Sequence, residues 1–299
     1  MALPLRWRYK LERWRDSLGR MFRSEPHPAR PRLCPACGTL VGSTANKCHE
    51  CGASLTFSLA AASRSLSGLL PTESPATYII LSINVILFAV SLTATMRDTQ
   101  TLNLLGGISN FVLDRLGACR PYWLMQGQWW RLVMPIFLHG SVLHIAMNSW
   151  VLMDVGPKVE EVYGSARYLF LYVLTGIAGF LASTTMGHFS VGASGALMGL
   201  IGLMLAITTR RGGALMQMLR GQLLRWVAYI LVIGFVFSGI DNAGHLGGLA
   251  AGFLLGRLMA DREPATLAER QRAYALGWLA GLVVVASFVF MLLHYFRGS

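Results

Sequence analysis

The chain has 299 residues, of which 54% are hydrophobic and only 13% charged, with a mean hydropathy of +0.50. Soluble domains carry about a quarter charged residues, so a water-soluble globule is excluded, and this much apolar side chain excludes a disordered chain too. A formal net charge of +12 raises nucleic-acid binding, but the basic residues lie where membrane topology would put them, and no nucleic-acid partner is expected.

Residues 1–32 form a basic N-terminal segment. With Trp7, Tyr9 and Trp14 it reads as an amphipathic helix on anionic lipid or as a solvated linker. Residues 33–56 hold Cys34-Pro-Ala-Cys37-Gly and Cys48-His-Glu-Cys51-Gly, two C-x-x-C pairs ten residues apart. The glycine after each pair permits a positive φ, which turns backbone N–H groups toward the sulfurs. Four thiolates suit tetrahedral Zn²⁺, and a closed four-ligand site is structural, so a short zinc ribbon with a structural Zn²⁺ is expected. Redox pairing is the alternative, disfavoured in a reduced cytoplasm. His49 is read as a bystander, and Cys119 stands alone with no metal role.

After a linker at 57–76, apolar runs dominate. Seven candidate spans are predicted: Tyr78–Thr95, Val133–Val155, Tyr168–Met186, Gly192–Thr209, Leu223–Gly239, Ala243–Ala260 and Leu276–Tyr295. Each approaches the length that crosses roughly 30 Å of hydrocarbon as a helix. No cleavable signal peptide is expected ahead of them. The fold class predicted is an all-α polytopic membrane protein: a core of six helices at 77–262 and a seventh at 263–299, preceded by the small zinc ribbon.

Eleven Lys and Arg precede the first span. Lys158, Arg167, Arg210, Arg211, Arg220, Arg225, Arg257, Arg262, Arg270 and Arg272 fall in loops or at span ends on the same face, while Arg97, Arg115, Arg120, Arg131 and Arg297 fall on the other. The positive-inside rule then predicts a cytoplasmic N-terminus and an extracytoplasmic C-terminus in a bacterial plasma membrane. Spans two, four and six all start at the extracytoplasmic face, and the polar residues hardest to explain lie at those starts.

Span two carries His139, His144 and Asn148; the last two are four apart and share a helix face. Span four opens on Gly192-Ala193-Ser194-Gly195, and span six on Asn242-Ala243-Gly244-His245. Gly195 and Gly199 repeat at a spacing of four, as do Gly244, Gly248, Gly252 and Gly256. Such stripes let helix backbones approach closely in lipid. Crossing along them would bring Ser194 to His245, a hydroxyl beside the base that activates it. An oxyanion there would feel the positive end of the span-four dipole, with His144 and Asn148 placed to donate to it. The chemistry suggested is acyl transfer through serine. A metal site of His139, His144 and His245 stays open as an alternative.

The segments Gly127-Gln-Trp-Trp-Arg-Leu, Pro135-Ile-Phe-Leu-His139 and His144-Ile-Ala-Met-Asn148 resemble the first loop and second helix of rhomboid intramembrane serine proteases. Gly192-Ala-Ser-Gly195 is similar to that family's nucleophile motif, and Asp241-Asn-Ala-Gly-His245-Leu-Gly-Gly248 to its histidine helix. Gly156-Pro-Lys-Val-Glu160 and Gly164-Ser-Ala-Arg167 resemble its second loop. The resemblance covers about Tyr78 to Ala260. It implies Ser194 as nucleophile and His245 as general base without a third acidic member. Asn148, His144 and the Ser194 N–H become the oxyanion hole. Trp130 and Arg131 become architecture of the loop in the outer leaflet, and Gly192 and Gly248 structural glycines. No catalytic cofactor is implied. Met198 stands where the family often has an aromatic stacked on the histidine.

The function expected is a serine endopeptidase cutting membrane-protein substrates in or near their transmembrane segments, near the extracytoplasmic face. The resemblance implies a small residue before the scissile bond. Its partners would be transmembrane substrates, the lipid bilayer and a cytoplasmic partner of the zinc ribbon. The alternatives are a non-proteolytic chaperone or adaptor for membrane proteins, which would tolerate Ser194→Ala, and a transporter using the histidines.

Overall fold

A computed structural model describes residues 31–34, 38–43, 45–50, 52, 55, 73–99, 107–237 and 239–297. The chain divides into two compact units, Met1–Leu66 and Ser67–Ser299.

In the first unit, β1 (Arg32–Leu33) pairs antiparallel with β2 (Leu40–Val41). Cys34 and Cys48 are buried with Val41 and Leu55. The same turn follows each cysteine: Gly38 N donates to Cys34 O at 2.9 Å and Gly52 N to Cys48 O at 3.0 Å. Gly38 and Gly52 have φ of 79° and 68°, a left-handed backbone that glycine adopts without strain. Cys37 and Cys51 lie outside the described residues.

The second unit is helical among the described residues. Its long helices are α1 (Pro75–Thr99), α4 (Val142–Tyr163), α5 (Ser165–Thr185), α6 (Ser194–Arg210), α7 (Ala214–Val236), α8 (Asn242–Leu258) and α9 (Leu267–Arg297). Two short helices, α2 (Asn110–Arg115) and α3 (Pro121–Met125), lie between α1 and α4. By length and composition α1, α5, α7 and α9 are apolar enough to cross a membrane, and α6 is a shorter apolar helix. Together they make this an integral multi-pass membrane protein.

The second predicted span differs from what forms. Residues Trp129–Leu132 and Met134–Phe137 are 3₁₀ turns, and α4 begins only at Val142. Pro135 and Gly140 interrupt the ladder, and Ser141 restarts it as an N-cap, its hydroxyl accepting from His144 N at 3.2 Å. At its other end α4 runs through Pro157 to Tyr163, so Gly156–Glu160 is helix rather than the predicted loop. Gly156 gives the following ring room, and a Cβ on it would press on Thr77 and the Tyr168 hydroxyl. The turn to α5 is a single Gly164 at φ 75°.

The last turn of α4 carries the buried Glu160, whose carboxylate caps α1 from outside the helix. It accepts from Ala76 N and Thr77 N, both at 2.9 Å, and from the Thr77 and Ser165 hydroxyls, both at 2.7 Å. Four donors and the positive end of a helix compensate the burial of its charge. One side of α1 then follows the core at Thr77, Ile80, Asn84, Leu87, Ser91 and Thr95.

α6 is the centre of the unit, with thirteen of its residues buried. α8 lies against it backbone to backbone. A Cβ on Gly248 would overlap the Gly195 carbonyl oxygen, one on Gly252 that of Gly199, and one on Gly202 that of Leu249. Without water to expel, such contact supplies dispersion and packing instead of a hydrophobic driving force.

α7 starts nine residues before the prediction of Leu223, so Arg220 is helical rather than in a loop, and Arg225 lies in the middle of the helix. Two side chains account for the extra turns. Arg220 donates to Thr208 O at the end of α6, and Gln222 donates to Asp154 of α4 at 2.9 Å. Trp226 Nε1 joins the same carboxylate at 2.8 Å. Beyond that, Leu223 is the one buried residue described on α7.

Candidate active site

Ser194 is the first residue of α6, and His245 lies in the first turn of α8. The glycine contact between these helices begins one residue after the serine. It sets His245 Nε2 2.8 Å from Ser194 Oγ, a hydrogen-bonded pair 51 residues apart in sequence. His245 is buried and Ser194 half-buried.

The start of α8 is held by its own cap. Asp241 accepts from Gly244 N at 3.0 Å and is 3.0 Å from His188 Nδ1. Asn242, one turn before His245, has Oδ1 3.2 Å from His245 Nδ1, and its Nδ2 donates to Leu231 O of α7 at 3.2 Å. The sequence reading gave neither residue a role. Asn three before His is an i,i+3 pair on one helix face, which was the available signal.

The turn before Ser194 is fixed from the loop side. Gly192 N donates to Pro135 O at 2.9 Å, and Ser190 and Cys119 exchange two backbone bonds of 3.0 Å. Gly192 has φ 131°, and a Cβ there would sit 2.7 Å from His144 Nε2. Gly140 N donates to His144 Nδ1 at 3.3 Å, so that nitrogen is the acceptor and Nε2–H faces the turn before Ser194. Asn148 Nδ2 donates to His144 O at 3.0 Å, leaving one amide hydrogen uncommitted to that bond. As the opening residue of α6, Ser194 has an N–H that the helix ladder does not use.

His139 is not on α4. It is buried before the helix starts, its ring centroid 5.1 Å from that of His144. No group of three His, Cys, Asp or Glu able to hold a metal occurs among the described residues. Met198 is buried within α6. Burial pushes the Cys119 thiol up to about 12.

Arg131, fully buried, anchors the loop between α2 and α4. It donates to Gln128 Oε1 at 2.6 Å, Asp114 O at 2.7 Å and Ala118 O at 2.9 Å. Trp123 and Trp130 lie beside its guanidinium, at 5.0 and 4.7 Å to the ring centroids. α9 closes the same loop: Ser287 donates to Trp130 O at 3.0 Å, and His294 Nε2 is 3.1 Å from Arg131 Nη2. Gly248 is the backbone contact to Gly195 described above.

The fold and site thus define a polytopic helical membrane protein with a serine–histidine pair at a glycine-packed helix crossing. Residues 126–262 match the Rhomboid domain. The chain is 34% identical over 179 residues to rhomboid protease GluP of Bacillus subtilis (strain 168), covering 59% of this chain and 33% of GluP. It is 38% identical over 165 residues to RHOMBOID-like protein 5 of Arabidopsis thaliana, covering 52% of each. Against RHOMBOID-like protein 6, mitochondrial, of the same plant, it is 31% identical over 213 residues, 64% of this chain and 69% of that one. The chain belongs to the rhomboid family. It spans a third of GluP (33%) and about half (52%) of RHOMBOID-like protein 5.

Proposed function

We propose that this chain is an intramembrane serine endopeptidase that cuts membrane-protein substrates in or near their transmembrane segments. The observation that carries the reading is the 2.8 Å hydrogen bond between Ser194 Oγ and His245 Nε2. Relatives whose names state a rhomboid protease support it.

Ser194 Oγ attacks the scissile carbonyl carbon while His245 Nε2 takes its proton. The negative oxygen is received by Ser194 N–H, His144 Nε2–H and the second Asn148 Nδ2 hydrogen, near the positive end of α6. The tetrahedral carbon collapses as His245 returns the proton to the leaving amine, giving an acyl-enzyme. Water, deprotonated by His245, then releases the acyl group and restores Ser194. Substrates are spans with helix-weakening residues, since a regular helix hides its carbonyls in its own ladder. The basic residues support a cytoplasmic N-terminus and a site near the extracytoplasmic face.

The first unit fits a structural Zn²⁺. The paired knuckles at Cys34 and Cys48, each closed by a positive-φ glycine, match the C-x-x-C-G spacing. Cys34, Cys37, Cys48 and Cys51 would hold the metal, whose binding would supply folding energy to a segment with a very small apolar cluster.

The test is cleavage of a single-span reporter co-expressed with wild type, Ser194→Ala or His245→Ala. Product with wild type alone supports the pair. Product that persists with Ser194→Ala refutes the nucleophile.

A further inference from the structure

A Ser–His pair works only if the imidazole nitrogen facing the serine is bare, and something must make that choice. The Leu231 carbonyl can only accept, so it takes the Asn242 NH₂ and turns Asn242 Oδ1 toward His245. An oxygen facing Nδ1 requires the hydrogen on Nδ1. A neutral imidazole has one N–H, so Nε2 is left bare, and Nε2 is the atom 2.8 Å from Ser194 Oγ. Were the amide reversed, Nε2 would carry the hydrogen and could not take the serine proton.

Resting on the serine-protease reading, we propose that Asn242 is a positioning residue that fixes the tautomer of His245, and that α7 controls it. The orienting carbonyl belongs to α7, on which Leu223 is the one buried residue described. α7 is therefore the long helix that internal packing holds least. Asn242 is also wedged by α7, because a Cβ on Gly234 would collide with its side-chain amide. Seating α7 orients the amide, the amide orients the imidazole, and the imidazole becomes a base. A displaced α7 would leave Ser194 and His245 in place but without the enforced tautomer.

The rate of labelling by a fluorophosphonate reads the nucleophile without needing a substrate span. Full-length wild type, Asn242→Ala, Asn242→Asp, Gly234→Ala, Ser194→Ala and His245→Ala are compared in detergent, with thermal midpoints as the check on folding. Asn242→Ala is expected to label at least about ten-fold more slowly, since loss of the correct tautomer costs a serine–histidine site up to about 10⁴ in rate. Asn242→Asp keeps an oxygen toward Nδ1 and is expected to recover to within about three-fold. Gly234→Ala, which removes no hydrogen-bonding group, is expected to slow labelling as well. In reporter cleavage, Asn242→Ala and Gly234→Ala should lower kcat and leave KM within about two-fold. Wild-type labelling by Asn242→Ala or by Gly234→Ala overturns the proposal, as does an Asn242→Asp variant as slow as Asn242→Ala. If Asn242→Ala does not fold, Asn242→Asp and Gly234→Ala decide. Labelling that survives Ser194→Ala or His245→Ala removes the serine reading and this inference with it. Silent Ser194→Ala and His245→Ala beside a normal Asn242→Ala removes the inference alone.

Discussion

Replacing Gly248 with alanine separates packing from catalysis. The new Cβ would overlap the Gly195 carbonyl oxygen and lie 2.8 Å from its carbon, against backbone that has no rotamer to turn. Relieving that overlap needs a helix separation of about 1 Å or more, because packed backbone yields little. Gly195 follows Ser194, so the same separation stretches the 2.8 Å Ser194–His245 bond beyond the roughly 3.5 Å at which a hydrogen bond exists. A misplacement of about 1 Å costs on the order of 10²-fold in rate. Gly256 on the same stripe is the control: its Cβ would meet Ala206 Cβ at 2.8 Å and Leu203 O at 2.9 Å, about three turns from the dyad. Both substitutions should destabilise by about 1–3 kcal/mol through overpacking. Only Gly248→Ala should lose kcat for reporter cleavage per folded molecule, measured in proteoliposomes with the folded fraction taken from thermal unfolding. Full activity in Gly248→Ala, or equal loss in Gly256→Ala, would refute the view that this stripe sets the dyad distance.

On the proposed mechanism, in which both donate to charge present only in the transition state, His144→Ala and Asn148→Ala should each lower kcat by about 10²-fold with little change in KM. Glu160→Gln keeps the shape but turns an NH₂ toward donors from α1 and Ser165; it should destabilise by about 2–4 kcal/mol, read from the thermal midpoint in detergent. Asp261 is hydrogen-bonded to Arg211 at 2.8 Å, which holds its carboxyl below the usual carboxylate range. Its folded pKa lies below the unfolded value, so its contribution is present above about pH 4 and lost as pH falls through the folded pKa. Arg211 is half exposed, so Asp261→Asn should cost no more than about 1 kcal/mol and flatten the acid limb of a stability–pH curve. Dialysis against a strong chelator should release one Zn²⁺ per chain and expose the four thiols of Cys34, Cys37, Cys48 and Cys51 to titration, while fluorophosphonate labelling of Ser194 persists. Fewer than four newly titratable thiols would refute that ligand set.

Burial is a local property, and the sequence could report it. Uniformly apolar runs located α5, α6 and α8 within a few residues, because lipid demands that every exposed position of such a helix be apolar. The glycine spacing on α6 and α8 announced a close crossing for the same reason, since only a side-chain-free stripe admits another backbone. Ser194 and His245 were legible as polar residues placed where lipid penalises them.

The misread boundaries came from interactions between segments. Val133 to Gly140 is apolar enough to look like helix, but Pro135 and the burial of Arg131 fold it into 3₁₀ turns. The first turns of α7 carry Gln217, Arg220 and Gln222 among apolar residues, and Thr208 O and Asp154 receive Arg220 and Gln222 there. Asn242 looked like part of a motif and acquired a role only when the Leu231 carbonyl of α7 reached its amide. Periodicity and composition therefore determined which residues are buried and which polar residues need explaining. The tertiary structure alone decided which polar atoms meet, because a hydrogen bond depends on a separation of a few tenths of an ångström set by backbones far apart in the chain.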